Sequence, residues 1–480
     1  MIFNSFAFVI FLPIVFLCYW FVFRPKQWQN AFIVIASYLF YGWWDYRFLL
    51  LIAITTASSF ASGLLIDHSE GTRRKLWLTA NIVLNLLILG TFKYYNFFVE
   101  NFTALCHQVG WNVDWPTISI ILPVGISFYT FQALSYSIDV YQRKLPPTHD
   151  VLAFFAYISF FPQLVAGPIE RATNLLPQFL AKRTFDYAQA VDGCRQMLWG
   201  FVKKVVIADN CAVIVNQHWG HYQQCSGIFL LILAVLFTFQ IYCDFSGYSD
   251  IAIGCARLFG IRLMQNFNHP YLACNIPDFW RKWHISLTSW MRDYIYFPLG
   301  GSRCSVLKTM RNVFLVWAIS GLWHGANWTF ICWGLYHAIL LTLSRWLGIK
   351  ASKGNSTQQA KLPSFKTLIS TLFTFMLIVV GWILFRAESM TQAVNVIKRI
   401  VFHPIQGMLA SNLNQLVQCT ICCIALIVIE WMQRHRQHAL QLPVTGPWRY
   451  PAMRLALYAA LVALIFIFAG EVQTFIYFQF

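Results

Sequence analysis

The sequence predicts an all-α, polytopic membrane protein of about eleven to thirteen spans, with re-entrant and amphipathic helices among them. Three observations predict it. Of 480 residues, 58% are hydrophobic and 18% aromatic, while only 11% are charged, against ~25% in soluble domains. Apolar runs near the ~20 residues that cross ~30 Å of hydrocarbon recur along the whole chain. The basic residues fall in short clusters between those runs and form no continuous face, so the net charge of +17 reads as membrane topology and not as nucleic-acid binding. No 20–50-residue repeat and no second domain stand out, and residues 1–480 are expected to form one integral membrane domain.

The first apolar run, 1–23, carries no charge and has no basic region ahead of it, as a cleaved signal peptide would require; it is expected to be retained. Runs near 30–43, 48–66, 76–96 and 118–140 follow. Arg24 and Lys26, then Arg73, Arg74 and Lys75, then Arg143 and Lys144 occupy alternate loops, whereas the loops between hold Arg47 alone. The positive-inside rule therefore places the N-terminus outside and makes 97–117 an external loop. The run 154–167 is broken by Pro162, Gly167 and Pro168, and Arg171, Lys182 and Arg183 come next. Crossing would put those positives outside, so this segment is read as re-entrant or interfacial, tolerated at depth only when buried in protein or lining a cavity. Runs near 193–216, 226–245 and 312–344 precede the polar stretch 345–366, which has five basic residues and no acid and reads as a flexible cytoplasmic loop. Runs near 367–385, 414–432 and 453–470 lead to an aromatic tail, 471–480, expected outside. Thirteen cysteines are scattered through apolar segments; even Cys419, Cys422 and Cys423 lie within a spanning run and read as small buried side chains.

Polar groups inside such runs cost free energy unless paired or wet, which makes them functional candidates. His324, in Trp323-His324-Gly325-Ala326-Asn327-Trp328, lies in a stretch from Asn312 to Ser344 without Asp, Glu, Lys or Arg. That stretch is too long for one upright helix, and Gly325 to Asn327 suggest a helix break beside the imidazole, hence a cavity. His284 lies in a segment from Phe279 to Tyr294 whose aromatic residues, Trp280 among them, share one helical arc opposite Arg281, Lys282, Arg292 and Asp293. The pattern predicts an amphipathic helix starting at Pro277 and Asp278. An imidazole near neutrality accepts and returns a proton, so either histidine can deprotonate a hydroxyl attacking an ester or thioester. The alternative is a core histidine bonded to a carbonyl or to Asn327, and His337 reads that way. Asp244 and Asp250 either bind a hydroxyl-bearing or cationic group, or cap backbone N–H groups and pair with an arginine. Tyr477 is either part of an interfacial aromatic anchor or, if the tail folds back, a transient acyl acceptor. No HExxH, Walker-type or GxGxxG motif is present, so no metal or nucleotide chemistry is expected.

The blocks 122–129 (LPVGISFY), 161–168 (FPQLVAGP), 244–248 (DFSGY), 280–287, Trp323-His324-Gly325 and 475–480 together resemble the membrane-bound O-acyltransferases, in the bacterial branch that acylates extracytoplasmic polysaccharides. The resemblance maps the family's tunnel histidine onto His324 and its second polar position onto His284. It implies helices arranged around a central funnel, with a cytoplasmic opening for acetyl-CoA or another acyl thioester. It also implies a separate extracytoplasmic esterase-like (SGNH) acetyltransferase partner, no bound cofactor, and residence in the bacterial inner membrane, where the charge pattern puts both termini outside. Trp323, Asn327, Trp280 and Asp244 become candidates for the tunnel or substrate site, and Tyr477 for the acyl relay. Within the branch, peptidoglycan is the expected polymer and alginate or another exopolysaccharide the alternative. A proton-coupled transporter, the rival class, predicts inverted repeats and paired acids at the midplane; neither is found.

Overall fold

In a computed structural model, which describes residues 1–113, 115–118, 121–351, 363–409, 412–443, 445–470 and 473–476, the chain is built of helices. Among the described residues the one extended pairing is an isolated bridge between Cys225 and Met408. The chain divides into two compact units, Met1–Gly193 with Ala252–Met264, and Cys194–Ile251 with Gln265–Phe480.

The first unit contains α1 (Phe6–Leu17), α2 (Lys26–Gly42), α3 (Leu49–Asp67), α4 (Gly71–Leu89), α5 (Tyr95–Gln108), α6 (Ile126–Tyr141), α7 (Val151–Ser159), α8 (Phe161–Leu164), α9 (Ala172–Leu180) and the start of α10 (Tyr187–Phe201). A π-helical turn joins α4 to α5 in one 38-residue rod, Gly71–Gln108, about 57 Å long at 1.5 Å per residue. The stretch expected to be an external loop is therefore helical as far as Gln108. At the centre stands α6, nearly all of whose side chains are buried. It is entered through Gly125, held at φ 77° with the Leu164 carbonyl where a Cβ would lie, so only glycine fits this approach. The segment read as re-entrant is α7 and α8, split at Phe160 and almost wholly buried. Nine residues of α7 reach only about 14 Å, too short to cross. In the loop that follows, Glu170 is fully buried, accepting from the Met264 N–H and, at 2.7 Å, from the Asn174 amide. Burial raises its pKa to about 7, with those bonds and Arg171 offsetting only part of the rise.

The second unit contains the end of α10, α11 (Asp209–Trp219), most of α12 (Gly227–Leu258), α13 (Ile276–Lys282), α14 (Ile285–Met291), α15 (Val306–His324), α16 (Trp328–Trp346), α17 (Phe365–Arg386), α18 (Met390–Phe402), α19 (Leu413–Met432) and α20 (Pro451–Phe468). A π-helical segment, Val202–Ala208, joins α10 to α11. Where α10 crosses α12, Gly200 and Gly247 face each other so closely that a Cβ on either would lie 2.6 or 2.8 Å from the other's carbonyl oxygen. Glycine at both positions lets the two backbones touch.

Among the described residues six helical stretches are long and apolar enough to cross a membrane: 46–67, 71–108, 227–258, 365–386, 413–432 and 451–468. Other runs read as spans are divided. Run 312–344 is two helices, α15 and α16, broken at Gly325 to Asn327 as the glycine and asparagine suggested. They pack antiparallel, with Gly321 against the Phe330 carbonyl and Gly334 against that of Trp317. Half of the loop 345–366, and the tail 471–480 apart from 473–476, lie outside the described residues.

Candidate active site

The segment expected to be one amphipathic helix is instead two short ones, α13 and α14, with His284 at the break in the left-handed conformation (φ 44°, ψ 53°). The helix starts slightly earlier than expected, at Ile276, because Asn275 caps it by accepting from the Asp278 N–H at 2.9 Å. The break persists because the irregular segment 266–268 takes over the freed backbone groups. Asn268 donates to the Lys282 carbonyl and Ile285 donates to the Asn266 carbonyl, both at 2.9 Å. A non-glycine residue at positive φ costs about 1–3 kcal/mol and persists where its surroundings over-determine it. Here they also orient the ring. His284 Nδ1 lies 3.1 Å from the Asn266 side-chain oxygen, while the Asn266 amide nitrogen donates to Ser249 at 3.2 Å. An amide oxygen only accepts, so Nδ1 carries the hydrogen and the lone pair is on Nε2. His284 lies outside the six spanning stretches and is 1% exposed; burial lowers its pKa to about 3, which keeps it neutral.

His324 is the last residue of α15, at the tip of the α15–α16 hairpin. Its ring centre is 6.4 Å from that of His284 and 4.9 to 5.4 Å from those of Trp333, Trp323 and Phe385. Both histidines line a cavity of about 530 Å³. On α15 the lining residues Val313, Val316, Trp317, Ser320 and His324 recur every three or four positions. They make one helical stripe about 16 Å long. Three further lining residues, Arg281, Arg292 and Arg345, are exposed whereas the histidines are buried. The cavity thus joins a cationic, exposed rim to a buried, aromatic-walled part bearing two imidazoles.

Of the other residues singled out from sequence, Trp280 lines this cavity. Trp323 is buried against both histidine rings without lining it. Asn327 caps α16, accepting from the Thr329 N–H at 3.0 Å and donating to the Glu388 carbonyl at 3.0 Å; it does not bond His324. His337 packs among Trp280, Trp317 and Trp333. Asp244 is away from the cavity lining. It pairs with Lys204 at 2.7 Å and accepts from the Ile476 N–H at 2.7 Å, the capping alternative with lysine in place of arginine. Tyr477 lies outside the described residues. Sequence reasoning missed Asn266, the rim made by Arg281, Arg292 and Arg345, and the adjacent Lys203 and Lys204. The last pair carried a signal, two charges inside an apolar run; the rim arginines looked like an ordinary solvated face.

The family model for the membrane-bound O-acyltransferase family matches residues 144–347, which hold both histidines and the rim. The probable alginate O-acetylase of Pseudomonas aeruginosa is 42% identical over 397 residues, covering 82% of this chain and 73% of the relative. The chain belongs to the membrane-bound O-acyltransferase family. It is a multi-pass membrane acyltransferase. The peptidoglycan O-acetyltransferase of Helicobacter pylori is 32% identical across 100% of this chain and 98% of the relative. The teichoic acid D-alanyltransferase of Bacillus subtilis, at 30% identity, matches 57% of this chain. The matched region thus contains the cavity's exposed arginines, its apolar wall and both buried imidazoles.

Proposed function

We propose that this acyltransferase O-acetylates peptidoglycan on the outer side of the bacterial cytoplasmic membrane, drawing acetyl groups from cytoplasmic acetyl-CoA. The observation that carries this reading is a cavity that three exposed arginines and two buried histidines line together. Acetyl-CoA has the same layout, phosphates at one end and a thioester at the end of a long neutral arm. Arg281, Arg292 and Arg345 bind the phosphates. His324 takes the proton of the incoming hydroxyl as its oxygen attacks the thioester carbonyl. The C–S bond then breaks, and the proton passes to the leaving sulfur as the thiol forms. The hydroxyl has one hydrogen, which His324 accepts; His284, its Nδ1–H bonded to Asn266 and its ring centre 6.4 Å from that of His324, is the neutral wall that positions the reacting group beside that base. Tyr477, next in the chain after Ile476, is the first acceptor on the outer side. An extracytoplasmic SGNH-type esterase-like transferase carries the acetyl group on to the polymer.

Alternate basic loops support placing both termini outside, and the basic stretch beginning at Arg345 supports a cytoplasmic mouth. Peptidoglycan is favoured because the Helicobacter relative matches over 98% of its length. Alginate is the second reading, favoured by the higher identity of the Pseudomonas relative. Mass spectrometry of wall muropeptides and secreted polysaccharide from cells lacking the protein decides between them. Loss of acetyl esters from muropeptides supports the first reading, loss from a uronic-acid polymer supports the second, and no loss from either refutes both.

A further inference from the structure

The π-helical segment Val202–Ala208 brings two lysines into a buried cluster with three aspartates. Lys203 contacts Asp250 at 2.5 Å and donates to Ser246 at 3.0 Å. Lys204 contacts Asp209 at 2.8 Å and Asp244 at 2.7 Å. All five side chains are at most 14% exposed. Two cations against three carboxylates leave one negative charge in excess, and two donors meet it from outside the lysines: Gln196 on Asp250 at 2.8 Å and the Ile476 N–H on Asp244 at 2.7 Å. Lys204 has three N–H donors and three acceptors, the third being the Gln473 carbonyl at 3.2 Å. The C-terminal segment therefore completes the cluster at two points, one for the anion and one for the cation. Between those points the Phe475 ring packs 4.8 Å from Tyr248, tilted, and 6.0 Å from Phe245, edge-on. Phe245 in turn meets His284 edge-on at 4.7 Å, so one ring separates the held segment from the candidate site.

We propose that Asp244 and Lys204 form an ionic latch that holds Gln473–Ile476 behind the histidine pair, and that they are positioning residues for acyl transfer. The second half of this inference rests on the function proposed above; the first does not. Asp209 and Asp244 share Lys204, so Asp244→Leu leaves two lysines facing two aspartates while deleting the acceptor for the tail. Asp209→Asn removes one charge from the same cluster and leaves the acceptor in place, and so serves as the control for general loosening.

The test is carboxypeptidase digestion of the full-length protein in membranes, followed by intact-mass measurement, with acetyl transfer assayed in parallel. The parental protein and Asp209→Asn resist trimming past Gln473, whereas Asp244→Leu is trimmed past it at least tenfold faster. In the same variant kcat per folded protein falls at least tenfold while KM for acetyl-CoA stays within twofold, whereas Asp209→Asn, which loosens the same cluster, keeps the parental kcat. Equal resistance in Asp244→Leu and the parental protein overturns the latch, as does equal release of the tail in Asp209→Asn. A released tail with undiminished acetylation upholds the latch and overturns the tail's part in transfer.

Discussion

Charge reversal at the rim of the cavity, Arg345→Glu, tests where the acyl donor sits. Arg345 is the informative position because Arg292 already has the Asp293 carboxylate 2.7 Å away, whereas Arg345 ends α16 in the run of basic residues that continues to Lys366. Two unit charges 4 Å apart interact by about 1 kcal/mol in bulk water and about 4 kcal/mol at the dielectric of a protein surface; an exposed rim belongs near the lower value. Reversal removes an attraction and adds a repulsion, about 2 kcal/mol in all, which corresponds to roughly a 30-fold rise in KM. Because the imidazoles stand at the other end of a stripe about 16 Å long, kcat changes little. The assay is acetyl transfer in inverted membrane vesicles, comparing acetyl-CoA with acetyl-pantetheine, which has no phosphates. The ratio of the two KM values collapses in the variant, and the effect shrinks at 0.5 M salt through screening. An equal change for both donors, or none for acetyl-CoA, refutes the rim as a phosphate site.

Two further outcomes follow from the scaffold. Gly200→Val forces side-chain atoms into a gap where even a Cβ lies 2.6 Å from the Gly247 carbonyl, so it separates α10 from α12 and lowers the yield of folded protein at least severalfold, as read by detergent-stable monodisperse protein; parental yield contradicts the close crossing. Glu170 binds its proton more tightly folded, at about 7, than unfolded, so its stabilisation is complete below about pH 4.5 and is lost as pH rises through 7. The shift corresponds to about 3 kcal/mol. Glu170→Gln is therefore expected to flatten the fall in melting temperature between pH 5 and pH 8, and parallel pH profiles for the two proteins contradict the assignment.

Membrane residence, the break beside His324 and the non-spanning nature of 154–167 were legible because each rests on a local rule: charge exclusion, glycine next to asparagine, proline in a short apolar run. The number of upright crossings was less legible, since α4 and α5 join through a π turn and 312–344 folds back on itself as α15 and α16. The break at His284 left no trace in the helical periodicity, because its cause, the pairing of Asn266 and Asn268 with residues 282–286, comes from a segment 14 to 20 positions earlier, beyond the reach of a helical repeat. The same holds for Asp244, whose partners Lys204 and Ile476 are 40 or more positions away. Trp280 and the two histidines were visible as unusual residues in unusual places; that they share a cavity with Arg345 is a consequence of tertiary packing alone.

The most direct measurement is acetyl transfer from labelled acetyl-CoA by purified His324→Ala in proteoliposomes, at equal protein abundance and melting temperature. General-base catalysis contributes about 10²- to 10⁴-fold. The account predicts a rate at least a hundredfold below the parental protein with donor KM little changed. A rate within tenfold of parental contradicts it.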